Sequence, residues 1–156
     1  MWSDHGAYPG VRAVKLIVEA DGGARGNPGP AGYGAVVCDA ESGDVLAEAA
    51  EGLGVTTNNV AEYQGLLAGL RAAVALAKRV PVTEVEVRMD SKLVVEQMSG
   101  RWKIKNETLR PLALEAARLV REFGTVRFTW VPRARNHRAD RLANEAMDAQ
   151  AQATTP

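Results

Sequence analysis

Four carboxylates sit where the sequence changes pattern. Asp21 closes an apolar run before "GGARGNPGP", and Asp90 closes "VTEVEVRM". Glu62 follows the polar run "TTNN", and Asp140 comes three residues after His137. Taken singly, each has an ordinary reading. Asp21 can begin a turn, Glu62 can complement a helix dipole, and Asp90 can cap a helix. Asp140 can pair with Arg133, Arg135, Arg138 or Arg141. Taken as a set, all four fall at element ends. Converging carboxylates repel in a low-dielectric cleft unless cations sit among them. Hard oxygen ligands suit Mg2+ or Mn2+. Two such ions, about 3.5–4 Å apart, clamp the attacking and leaving oxygens of a phosphoryl displacement.

The elements that must position these acids follow from periodicity. Residues 14–20 are β-branched and read as a strand, 31–38 as a second, and 45–53 as a third that completes a meander. Asn or Thr at 57–59 can cap a long helix, in which Tyr63, Leu66, Leu67, Leu70, Val74 and Ala77 recur at helical spacing. Glu62 is expected in its first turn. Residues 82–89 alternate as a fourth strand, and Ser91 caps a short helix to about 99. A further helix over 107–123 is expected to close on Gly124 as its C-cap. Residues 125–131 read as a fifth strand, and Asn136 as the cap of a last helix over about 137–149.

The order β-β-β-α-β-α-α-β-α predicts an α/β fold with a mixed sheet flanked by helices. A right-handed crossover makes strands one and four parallel. If these strands are neighbours, about 4.8 Å apart, Asp21 and Asp90 emerge at one edge of the sheet.

The glycine loop after Asp21 is not a phosphate cradle. A P-loop needs G-x-x-x-x-G-K-[ST], and no lysine follows these glycines. A dinucleotide fingerprint needs a helix next, whereas "AGYGAVV" reads as a strand. A hairpin turn remains, open to close approach of a ligand backbone.

Composition bounds the rest. The 156 residues suggest one domain over 14–148, with a leader over 1–13 and a tail or linker start over 149–156. Nineteen basic and nineteen acidic side chains cancel, so binding to a polyanion must come from a local patch. Cys38 is the single cysteine, which excludes an intrachain disulfide and fits a reducing cytoplasm. The start "MWSDHGAYPG" lacks the apolar core of a signal peptide, and no run approaches a membrane span of about 20 residues.

Four stretches, "EADGGARGNPGPAGYGAVV", "TTNNVAEYQGLLAGL", "VRMDSKLVVEQMSGRW" and "WVPRARNHRADRLANEAM", resemble type 1 ribonuclease H in order, over about residues 15–148. The nearest form is the archaeal-like one that also occurs in actinobacteria. The resemblance implies a five-stranded mixed sheet, three antiparallel strands followed by parallel ones. It implies an endonuclease that cuts the RNA strand of RNA–DNA hybrids and leaves 5′-phosphate and 3′-hydroxyl ends. The family's acidic quartet falls on Asp21, Glu62, Asp90 and Asp140. By this resemblance Asp21 and Asp90 serve both ions, Glu62 holds one and Asp140 the other.

Substrate contacts carry over on the same basis. Asn27 and Asn58 match positions that read the minor groove and the 2′-hydroxyl side of the RNA strand, and Thr57 and Asn59 match positions that grip a DNA-strand phosphate. Trp102, Lys103 and Lys105 in "RWKIK" can meet sugar and phosphates. Many relatives insert a basic helix near here and carry a histidine in a longer loop before the last acid. This chain has neither, and Arg133 or Arg135 is the candidate substitute for that histidine. The tail "AQAQATTP" would suit a junction to a phosphatase-like domain, as in some actinobacterial relatives. A monomer is expected. A related metal nuclease of the same fold, exonuclease or resolvase, and a non-cleaving nucleic-acid-binding module are the rival readings.

Overall fold

The computed structural model describes residues 13–153. The expected leader over 1–13 falls almost wholly outside the described residues, as do residues 154–156. Five strands form one sheet in the order β3-β2-β1-β4-β5. In chain order these are β1 (Val14–Ala24), β2 (Gly29–Asp39), β3 (Val45–Thr56), β4 (Val82–Met89) and β5 (Val126–Trp130). The first three are antiparallel neighbours, whereas β4 and β5 are added in parallel. Among the described residues, four α-helices flank the sheet: α1 (Asn58–Ala77), α2 (Lys92–Met98), α3 (Leu109–Val120) and α4 (His137–Ala153).

The sheet is covered unequally. α1 packs on β1 and β2 and is itself backed by α3, while α4 lies across β1, β2 and β3. Successive strand residues point to opposite faces, so neighbours on one strand serve different helices. Ala35 of β2 lies on the α1 side, and Gly34 beside it lies on the α4 side. A Cβ on Gly34 would run into the Ala139 carbonyl and the Leu142 side chain. Glycine in "AGYGAVV" thus lets α4 sit close against a strand, which accounts for glycine inside an element it otherwise weakens.

The core lies between α1, α3 and the sheet. The Tyr63, Leu66 and Leu70 stripe is fully buried there with Val18, Val85 and Val87. Each such aliphatic side chain contributes about 1.5–3 kcal/mol on burial, which anchors α1 more firmly than its cap does. The Tyr63 hydroxyl donates to Gln97 Oε1 at 2.7 Å, and Gln97 Nε2 donates to the Lys103 carbonyl at 3.3 Å. The core is thereby tied to the connection between α2 and α3.

Three boundaries differ from expectation. β1 continues through Asp21 to Ala24, because Gly22, Gly23 and Ala24 still pair with Tyr33, Gly32 and Ala31. α3 ends at Val120 with Arg121 as a right-handed C-cap; Gly124 has no positive φ and caps nothing. α4 runs on to Ala153, so residues 149–153 are helical; alanine and glutamine hold a helix without an apolar stripe.

Candidate active site

Four elements deliver the four acids to one end of the sheet. Asp21 stands inside β1, opposite Gly34, and Asp90 follows the last residue of β4. β1 and β4 are parallel neighbours up to Ala20 and Met89, so the two acids emerge side by side. Glu62 comes from α1. Thr57 is the N-cap, its hydroxyl accepting from the Val60 N–H at 3.3 Å, so Glu62 lies in the second turn and not the first. Asp140 is in the first turn of α4, as expected.

Glu62 approaches Asp21 because α1 nearly touches β1. A Cβ on Gly22 would collide with the Ala61 carbonyl and the Glu62 N–H nitrogen. On the other side of the sheet, Asn136 is fully buried and donates from Nδ2 to the Ala20 carbonyl at 2.9 Å. The sequence predicts Asn136 as a side-chain cap for α4. Its side chain instead fastens α4 to β1, and only its backbone carbonyl accepts the Asp140 N–H.

Carboxylate oxygens of Asp21, Glu62 and Asp90 lie within 4.8 Å of one another. Burial, then the charge of Asp90, pushes the Asp21 carboxyl up to about 8, and a hydrogen bond with Asp140 adds to this. Burial first, then Asp21 and Asp90, hold Glu62 well above the usual carboxylate range. Asp90 is also raised, by burial, against the hydrogen bond it makes with Asp21. Asp140 is turned toward Arg133, whose Nε donates to its Oδ1 at 3.1 Å. Glu62 Oε2 is buried and has no hydrogen-bond partner. A buried oxygen without a partner, within a cluster of acids starved of positive charge, is what a hard cation requires, so these residues fit a divalent metal.

The acids line a cleft of about 340 Å³, shared with Arg25, Asn58, Arg133 and Asn144. A second cleft, of about 260 Å³, is lined by Asn27, Thr57, Asn59, Asn106 and Thr108. Asn27 and Asn58 join the two. Asn27 Oδ1 accepts the Asn58 N–H at 3.0 Å, and Asn58 Oδ1 accepts the Ala24 N–H at 2.8 Å. Both side-chain carbonyls are thus committed to the fold, and both NH2 groups have no partner among the described residues. The two side chains therefore present donors.

Trp102, Lys103 and Lys105 are exposed on the connection between α2 and α3 and line neither cleft. His137 is exposed at the start of α4. Arg25, Asn144, Asn106 and Thr108 line the clefts without any sign in the sequence. No periodicity marks them, and only tertiary proximity brings them to the clefts.

A mixed sheet with acids where the pairing of two adjacent parallel strands ends, supplemented by acids from two helices, defines a nuclease-like class. A profile described as reverse transcriptase-like matches residues 19–146. More narrowly, the chain is 43% identical over 137 residues to ribonuclease HI of Halobacterium salinarum, covering 88% of this chain and 66% of that protein. The solved RNase H1 of that archaeon superposes with a TM-score of 0.80 at 41% identity, covering 86% of this chain and 98% of the other. LC11-RNase H1, solved in complex with an RNA/DNA hybrid, gives 0.80 at 45% identity, with 86% and 97% covered. The N-terminal RNase H domain of Rv2228c from Mycobacterium tuberculosis gives 0.87 at 59% identity, with 92% and 100% covered. The chain belongs to the type 1 ribonuclease H family. It spans 37% of the length of the full bifunctional protein Rv2228c, to which it is 60% identical over 139 residues, or 89% of this chain.

Proposed function

We propose that residues 14–148 form an endonuclease that hydrolyses the RNA strand of RNA–DNA hybrids, leaving 5′-phosphate and 3′-hydroxyl ends. The observation that carries this reading is the trio Asp21, Glu62 and Asp90 with the unpartnered Glu62 oxygen, in a chain of this family. Asp21, Glu62, Asp90 and Asp140 are the residues that would hold the ions, Mg2+ in the cell and Mn2+ as a substitute. Divalent ions bound there supply charge that neutralises the carboxylates, acidifies water and stabilises the leaving oxygen.

The remaining work belongs to the chain itself. Asn27 and Asn58 are assigned to the minor groove, where their NH2 groups donate to base acceptors and to 2′-hydroxyl oxygens. Thr57 and Asn59, with Asn106 and Thr108, are assigned to a phosphate of the uncut DNA strand; the Asn59 N–H adds a donor there, those of Asn58 and Val60 being taken up by Asn27 and Thr57. Trp102, Lys103 and Lys105 then meet the duplex beyond the second cleft. Arg133 orients Asp140, and it is our candidate for the role of the missing loop histidine.

No helix among the described residues is long and apolar enough to cross a membrane. We place the enzyme in the cytoplasm, acting as a monomer, because all four acids come from one chain. A following phosphatase-like domain in the full-length protein is part of the same proposal, supported by the bifunctional relative. A panel of end-labelled RNA–DNA hybrid, duplex DNA and duplex RNA, with and without Mg2+, tests the reading. Cutting confined to the RNA of the hybrid and dependent on the metal supports it. Cutting of duplex DNA, or binding without cutting, supports the rival readings.

A further inference from the structure

Positive charge is scarce around the acid cleft. Among the described residues, two arginines line it, Arg25 and Arg133. Arg133 is engaged by Asp140, one of the four acids. Arg25 is held differently. It follows β1, and its N–H donates to the Pro30 carbonyl at 2.8 Å, closing the hairpin turn. Its Nη2 donates to Asp148 Oδ1 at 2.6 Å and to Asn144 Oδ1 at 3.2 Å, both on α4. Asn144 in turn donates to the Asp140 carbonyl at 2.8 Å. The guanidinium is thus registered to the helix that carries the fourth acid.

Holding does not exhaust it. A guanidinium has five N–H donors, and both bonds to α4 come from Nη2. Nε and Nη1 have no partner among the described residues. The pair with Asp148 is solvent-exposed, 46% and 63% for the two side chains, so it is weak. It orients Arg25 without neutralising it against a stronger anion. A planar fork of donors suits a phosphate better than a lysine would.

We propose that Arg25 is a substrate-binding residue. It contacts a phosphate of the strand being cut, adjacent to the scissile one, while Asn144 and Asp148 set its orientation. This rests on the nucleic-acid reading above, because only a strand lying in the acid cleft places a phosphate beside Arg25. The phosphate pocket beyond Asn27 is separate and takes the other strand.

The test is binding of a fluorescent RNA–DNA hybrid, read by anisotropy over about 50–200 mM salt. The Asp90→Asn background prevents cleavage during the measurement. Arg25→Ala is compared with Arg79→Ala, which removes the same charge just beyond the far end of α1. Arg25→Ala weakens binding about tenfold and lowers the salt slope by about 0.9, as expected for one lost phosphate contact. Arg25→Lys keeps the slope and loses part of the affinity. With Asp90 restored, Arg25→Ala raises KM and changes kcat less than about threefold. If Arg25→Ala matches Arg79→Ala in affinity and slope while the wild type cuts hybrids, Arg25 has no such role. If the wild type neither binds nor cuts hybrids, the substrate reading falls and this inference with it.

Discussion

Asn136 Nδ2 donates to the Ala20 carbonyl at 2.9 Å, joining residues 116 apart in the chain. Ala20 precedes Asp21, and Asn136 precedes α4 and Asp140. One buried carboxamide therefore fixes the spacing between two of the four acids. Asn136→Ala removes this donor and leaves a buried carbonyl to find another. It costs about 1–3 kcal/mol and lowers Tm by about 2–12 °C. Cleavage falls by more than the loss of folded protein explains, because Asp140 loses its register. Thermal melts beside rates measured well below Tm separate the two effects.

Gly22 sets the approach of α1 to β1 in the same way. Gly22→Ala places a methyl group against the Ala61 carbonyl and the Glu62 nitrogen, and neither is a flexible side-chain end. Overpacking of this kind costs about 1–3 kcal/mol and moves Glu62 away from Asp21. Urea unfolding reads the first effect. Weaker Mn2+ binding in calorimetry reads the second.

The raised acids give the metal-free protein a definite pH dependence. Asp21 ionises at about 8 in the fold against 3.8 unfolded, so between these values the native state binds the extra proton. Stability therefore falls as pH rises from about 4 to 8 and levels off above that. Glu62 and Asp90 are shifted in the same direction and add to the fall. Glu96 and Glu115, held low by hydrogen bonds from Arg101 and Arg118, act oppositely, but their contribution is lost only as pH drops below about 4.5. Melts in EDTA from pH 5 to 9 show Tm declining. Mg2+ restores it most at the alkaline end, where the carboxylates are free to bind.

Neutralising one acid separates stability from catalysis. Asp90→Asn and Asp21→Asn remove repulsion from the cluster, so each metal-free variant melts no lower than the wild type at pH 8. Both lose cleavage by at least about 10³-fold. A variant that unfolds would point to a structural role, and one that cuts at near wild-type rate would remove the residue from the site.

Much of this was legible along the chain. Asp90 was placed correctly because the alternation of β4 stops there, and Tyr63, Leu66 and Leu70 declared the buried face of α1. Asp21 was placed one step outside its strand because "DGGA" has the composition of a loop; it stays in the sheet because β2 offers a matching row of small residues. Glu62 falls one turn later than the sequence predicts because "TTNN" offers several caps, and only the fold selects the oxygen that reaches the Val60 N–H. Asn136 was read as a cap because its partner, Ala20, is remote in sequence. The parts that escaped, Arg25, Asn144, Asn106 and Thr108, all owe their position to tertiary packing.

The measurement closest to the central claim is anomalous scattering from crystals of the Asp140→Asn variant and the wild type, each soaked in Mn2+ with bound hybrid. Manganese peaks are expected within coordination distance of Asp21, Glu62 and Asp90 in the wild type, with loss or weakening of the peak nearest residue 140 in the variant. Carboxylates that stay protonated and hydrogen-bonded to one another, with no manganese among them while the hybrid is bound, would contradict it.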